Sequence, residues 1–167
     1  MEQREFVRLG RSASVIGLGC WQLGADWGHV DEAAAMQILH AAADAGVTFF
    51  DTADVYGDGR SERFLGQFLR ERAGEDLFVA TKTGRRAMPP DDSAYTEANL
   101  RSWLGRSLDN LGVDRLRELI VGSPHAHQPR VGALPHHLRG LANRRDRHIF
   151  HVIRSGLFQS AERRRIR

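Results

Sequence analysis

The sequence predicts an α/β fold: the N-terminal half of a (β/α)₈ barrel, followed by an irregular basic C-terminal tail. Three observations lead there. Short apolar runs alternate with stretches of helical periodicity three times, the pattern of a parallel sheet with helices packed outside it. No G-x-G-x-x-G follows the first apolar run: Gly17-Leu18-Gly19-Cys20-Trp21-Gln22-Leu23-Gly24 lacks the third glycine at the right offset and does not open a helix. This favours a barrel over an open dinucleotide-binding sheet. Finally, residues with chemistry sit at the C-terminal ends of the apolar runs, where barrels carry their active groups.

Taken in order, Phe6 to Gly10 and Ser14 to Gly19 predict a hairpin turning around Gly10-Arg11-Ser12 and plugging one end of a larger fold. Asp31 is the expected N-cap of a first helix, with an apolar stripe of Met36, Ile38, Leu39, Ala42 and Ala43, closed by Gly46. Val47 to Phe50 is the next strand. Ser61 is expected to cap a second helix with Phe64, Leu65, Phe68 and Leu69 on one face, closed by Gly74. Leu77 to Ala80 is a strand. Thr96 opens a third helix bearing Leu100, Trp103, Leu104, Leu108 and Leu111, which Gly112 closes, and a fourth strand is due from Leu116. There the pattern falters. Arg117-Glu118-Leu119-Ile120-Val121 carries two charges where a buried parallel strand should be apolar. A complete barrel takes about 250 residues, and this chain has 167.

The net charge of +3 averages two unlike segments. Residues 1–116 hold 13 basic and 18 acidic side chains, whereas residues 117–167 hold 11 arginines, 3 acids and six of the eight histidines. The chain therefore divides at 116 into a half-barrel (1–116) and an atypical Arg/His-rich tail (117–167), which reads as out-of-frame translation or as disorder. The single cysteine, Cys20, cannot form an internal disulfide, and no signal peptide or bilayer-spanning run is visible, so a cytoplasmic protein is expected. The histidine pairs of the tail lack acidic or cysteine partners and the arginine run lacks interleaved aromatics, so neither a metal site nor nucleic-acid binding is expected.

The chain has one lysine, Lys82, inside the apolar run Phe78-Val79-Ala80-Thr81-Lys82-Thr83. Asp51 and Tyr56 follow the preceding run, in Phe50-Asp51-Thr52-Ala53-Asp54-Val55-Tyr56-Gly57. Side chains from the ends of successive parallel strands can meet, and an aspartate, a lysine and a tyrosine together make a proton donor. Taken singly, Asp51 also suits a strand–loop junction and Tyr56 a half-buried loop position. Trp21 suits a pocket wall or a core aromatic near the hairpin, and Cys20 a small core residue.

Residues 5–116 resemble the N-terminal half of the aldo/keto reductases. Five segments carry the resemblance: Gly17 to Trp21, Phe50 to Gly57, Ser61-Glu62 with Leu65-Gly66, Val79 to Lys82, and Leu108 to Leu116. The resemblance implies a TIM-type barrel that reduces small-molecule aldehydes and ketones with NADPH. It implies that Tyr56 is the general acid, that Lys82 is the cation favouring its phenolate, and that Asp51 pairs with Lys82. Trp21 and Asp51 would also meet the cofactor.

The family's histidine at the end of the fourth strand falls on Gly122 here, with His125 and His127 nearby in sequence. The family's later cofactor-binding motifs are absent. The chain is therefore expected to be inactive alone. The alternatives are a non-catalytic half-barrel that binds or regulates another chain, and a catalytically dead scaffold with a basic nucleic-acid-binding tail. Substrate identity and oligomeric state stay open.

Overall fold

A computed structural model describes residues 1–6, 10–24, 28–89 and 91–116, and the backbone of 118–121. Strands β1 (Gln3–Phe6) and β2 (Arg11–Ser14) form an antiparallel hairpin in which Gln3 faces Ser14 and Phe6 faces Arg11. Strands β3 (Leu18–Gly19), β4 (Phe49–Asp51), β5 (Phe78–Thr83) and β6 (Glu118–Val121) form a parallel sheet in sequential order. Helices α1 (Glu32–Asp44), α2 (Arg60–Glu71) and α3 (Glu97–Leu111) alternate with them. Sequential order among parallel neighbours is the barrel arrangement, without the reversal of strand order found in doubly wound sheets. The described strands form a hairpin and an open four-stranded sheet and close no barrel.

The hairpin differs in register from the expectation. Its turn precedes Arg11, with Gly10 at φ +59, and Leu18–Gly19 is the first strand of the parallel sheet instead of the hairpin's second arm. A two-residue strand leaves too little alternation to show which sheet it joins. The hairpin does pack at one end. The backbone N–H of Ser14 donates to Thr48 Oγ1 at 2.8 Å, and that of Thr48 to Ser14 Oγ at 2.9 Å. Arg11 binds the Asp76 carboxylate and stacks 5.0 Å over Phe78. All these partners lie at the N-terminal ends of β4 and β5, so the opposite end of the sheet is left for chemistry.

Asp31 caps α1 as its residue type requires, Oδ1 accepting the Ala34 N–H at 2.8 Å. Ile38, expected on the apolar stripe, is exposed instead. Two residues turn a helix by about 200°, which carries Ile38 away from buried Met36. Helix α2 begins at Arg60 with Gly59 (φ +82) as its N-cap and no capping side chain. Ser61, expected to cap it, lies inside the first turn with its hydroxyl turned inward. The hydroxyl gives its proton to the Cys20 carbonyl at 2.8 Å, so Thr52 Oγ1 must be the donor in the 2.9 Å Thr52–Ser61 contact. Thr96 and Gly112 cap α3 as expected, Gly112 at φ +64.

The core lies between the sheet and the helices. Phe50 of β4 meets Phe68 of α2 at a ring separation of 5.1 Å, with Leu39, Leu65 and Leu111 fully buried around them. Burying one such side chain contributes about 1.5–3 kcal/mol. Strand β6 pairs with β5, Ala80 facing Glu118 and Thr83 facing Val121, so the backbone continues the parallel sheet past residue 116 despite the two charges there. Gly122, His125, His127 and the rest of the tail lie outside the described residues.

Candidate active site

Asp51 ends β4 and faces Ala80 across the ladder. Lys82 is two residues further along β5. Because side chains alternate with a period of two, both project from the same face. Lys82 Nζ lies 2.5 Å from Asp51 Oδ1 and donates to the Thr52 carbonyl at 3.0 Å. The same ammonium stands 5.5 Å from the centre of the Tyr56 ring. Asp51 and Lys82 thus pair at the C-terminal ends of their strands, with the Tyr56 ring beside them on the loop that follows β4. Lys82 and Asp51 keep about a third of their side chains exposed, 30% and 35%, so the pair is open to a ligand from above.

Trp21 stands beside them, its ring 6.3 Å from that of Tyr56 and inclined by 30°. At 42% exposure it is a wall of the open face and not a core aromatic. The turn Trp21–Gly24 also touches the tyrosine loop directly. A Cβ on Gly24 would lie 2.6 Å from the Gly57 nitrogen, and one on Gly57 would lie 2.3 Å from the Gly24 oxygen. Only a pair of glycines permits this backbone approach.

Cys20 lies beneath the site, 1% exposed. Burial, and next the Asp51 carboxylate, push its thiol up from the usual 9.0 to about 12, against the opposing pull of Lys82. Alkylation at about pH 8 should therefore run roughly a thousandfold slower in the folded chain than in urea, since the thiolate is the reactive form. Timed iodoacetamide labelling with mass spectrometry checks this, and equal rates would mean that the thiol is not enclosed.

A polar network behind the site was not foreseen from the sequence. Glu62 is fully buried; its carboxylate accepts from Thr81 Oγ1 at 2.7 Å and from Asn110 Nδ2 at 2.9 Å, joining β5, α2 and α3. Asp54 is 1% exposed. Its Oδ2 accepts from Thr83 Oγ1 at 2.9 Å and lies 3.4 Å from Arg86 Nε, an ion-pair contact too oblique for a hydrogen bond. Its Oδ1 is buried without a partner. Burial pushes the Asp54 carboxyl above the usual aspartate range, while the Thr83 hydrogen bond and Arg86 pull the other way. Nearby Asp58 is held below that range by hydrogen bonds from Arg86 and then Arg106. The available signal was Asp54 itself, an acid between Ala53 and Val55 in a run otherwise heading into the core.

Among the described residues no group of three His, Cys, Asp or Glu could hold a metal ion, and no helix is long and apolar enough to cross a membrane.

The model of the aldo/keto reductase family matches residues 15–133, past the composition break at 116. Pyridoxal 4-dehydrogenase of Microbacterium luteolum is 31% identical over 95% of this chain and 50% of its own length. A probable voltage-gated potassium channel subunit beta of Oryza sativa is 32% identical over 77% of this chain and 39% of its own. Among solved structures, an aldo-keto reductase of Klebsiella pneumoniae in complex with NADPH superposes with a TM-score of 0.54 at 26% identity, covering 67% of this chain and 36% of that one. The chain spans half or less of the length of these relatives. Strand order, convergent site and family match agree: the chain belongs to the aldo/keto reductase family.

Proposed function

We propose that this chain carries the proton-donating site of an NADPH-dependent reductase of small-molecule aldehydes and ketones, with Tyr56 as the general acid. The supporting observation is the placement of Lys82 Nζ, 2.5 Å from Asp51 and 5.5 Å from the Tyr56 ring, on an open face at the strand ends. The residues present fit the reacting end of such a cofactor: an exposed indole at Trp21, the partly exposed Asp51 carboxylate and a phenol beside a fixed cation. When bound, NADPH supplies the hydride.

The carbonyl oxygen gains negative charge as hydride reaches the carbon, and the Tyr56 hydroxyl gives it a proton. The Lys82 ammonium stabilises the negative charge that develops on the tyrosine oxygen as its proton leaves. Asp51 and the Thr52 carbonyl accept from that ammonium and hold it in place. Trp21 walls one side against water. Run backwards, the same phenolate would accept the proton released as a substrate is oxidised, and dehydrogenation is the direction that the name of the Microbacterium luteolum relative describes.

A second reading, a half-barrel that binds a cofactor or another chain without turnover, is supported by the channel-subunit relative and by Gly122 in the carbonyl-orienting slot. The chain alone is expected to show no turnover at a useful rate for the same reason. The test is NADPH consumption with a panel of simple aldehydes at high protein concentration, alongside NADPH binding by thermal shift. Slow consumption abolished by Tyr56→Phe supports the donor role. Consumption that survives the substitution overturns it, and binding without any consumption favours the second reading.

A further inference from the structure

We infer that Arg86 is a positioning residue that clamps the Tyr56 loop from both sides and so sets the distance between Tyr56 and Lys82. The inference rests on Tyr56 being the proton donor.

Tyr56 lies in the connection between β4 and α2. This loop has an unfavourable backbone: Gly57, Asp58 and Gly59 are successive residues at φ +56, +52 and +82. Asp58 carries a side chain in the left-handed region, which L residues adopt at a cost. Ordering each such residue also costs backbone entropy. Something must hold the loop in one conformation.

Arg86 meets that need. Its guanidinium donates to the carbonyl of Asp54, two residues before Tyr56, and lies 2.7 Å from the carboxylate of Asp58, two residues after it. The two contacts flank the tyrosine symmetrically. Arg86 itself is four residues beyond Lys82 on the same chain segment. The Asp54 N–H meanwhile donates to the Lys82 carbonyl at 3.0 Å, and Thr83 Oγ1 donates to the Asp54 carboxylate. The loop that carries Tyr56 is thus tied to the strand that carries Lys82 at every step. Arg106 of α3 reinforces the far end, donating to the Asp58 carbonyl at 3.0 Å, and Arg63 does so at 3.2 Å. Among the described residues, Arg86 alone reaches both ends. A planar guanidinium with several fixed donors suits such a bridge, whereas a point-charge ammonium does not.

The composition of the chain makes the clamp readable without turnover. It contains one lysine and two tyrosines. In a sample labelled selectively on lysine and tyrosine, a nuclear Overhauser cross-peak between lysine Hε and a tyrosine ring reports the Lys82–Tyr56 approach directly. Tyr56→Phe assigns the signal. The other tyrosine, Tyr95, donates to the Gly84 carbonyl at 2.9 Å and so reports on the integrity of the segment around Arg86.

In the full chain the cross-peak is expected. In Arg86→Gln it should be lost while the Tyr95 resonances and circular dichroism stay in place, a separation that general loosening of the fold would not give. Asp58→Asn, at a side chain 75% exposed and with a residue that tolerates positive φ, opens the far half of the clamp and should also remove it. A cross-peak of full intensity in folded Arg86→Gln overturns the inference, as does its absence from the unsubstituted chain. If Arg86→Gln does not fold, Asp58→Asn decides together with Arg106→Gln, which removes the Asp58 carboxylate's other partner and should keep the cross-peak. Failure of the donor reading appears separately, as NADPH consumption that survives Tyr56→Phe.

Discussion

Lys82→Met is expected to slow carbonyl reduction about a hundredfold or more while leaving the fold nearly intact. The ammonium stands 5.5 Å from the Tyr56 ring centre, close enough to act on the proton transfer, and general acid–base assistance is worth about 10²–10⁴-fold in rate. Methionine keeps most of the side-chain length and removes the charge. Asp51 then loses its partner, but its partial exposure lets water solvate it, so stability should fall by about 1 kcal/mol or less. Single-turnover NADPH consumption and a thermal melt, measured on the same sample, separate the two effects. A large loss of rate with a small shift in melting temperature assigns Lys82 to proton transfer. An unchanged rate removes it from the mechanism.

The largest effect on stability is expected from Gly57→Ala. The new methyl would sit 2.3 Å from the Gly24 oxygen and 2.7 Å from the Gly24 Cα, and φ at this position is +56. Both neighbours are backbone, so neither can swing aside as a flexible side chain would. The left-handed conformation alone costs about 1–2 kcal/mol for a residue with a Cβ, and overpacking against rigid atoms adds about 1–3 kcal/mol. A total loss of about 2–5 kcal/mol should appear as a lower urea midpoint. An unchanged midpoint would mean that the Trp21–Gly24 turn does not rest on the Tyr56 loop. Gly10→Ala is a suitable control: its φ is also positive, but among the described residues, its chain neighbours aside, no atom lies within 4 Å of the added carbon.

Much of this arrangement could be read directly from residue types. Asp31, Thr96 and Gly112 mark helix ends because each satisfies a backbone group that the helix leaves free. Lys82 announces itself as the only lysine, placed in a strand that should be apolar, and the structure brings it to Asp51 and Tyr56. What escaped the reading depends on contacts distant in sequence. Ser61 looks like an N-cap, yet its hydroxyl finds the Cys20 carbonyl 41 positions away, and Gly59 starts the helix instead. The strand Leu18–Gly19 is too short to display a period. Ile38 was assigned by hydrophobicity, when its angle around the helix decides its exposure. Arg86 looked like one arginine among many, and only the folded loop shows it reaching both Asp54 and Asp58.

The pairing of Asp51 with Lys82 constrains how this sequence can be recombined. Asp51 faces Ala80, and Lys82 is two positions beyond on the same side. A slip of one residue between β4 and β5 would turn Lys82 to the opposite face. The ion pair thus works as an alignment mark, complete in one register and absent in the next. Residues 51 to 82 therefore form a single heritable block. A crossover inside it that changed the length between the two strands would leave each residue present in the offspring and the proton donor dismantled. Crossovers on either side would pass the ion pair on whole, although Gly24, which rests on Gly57, and Arg86, which reaches Asp54 and Asp58, lie outside the block.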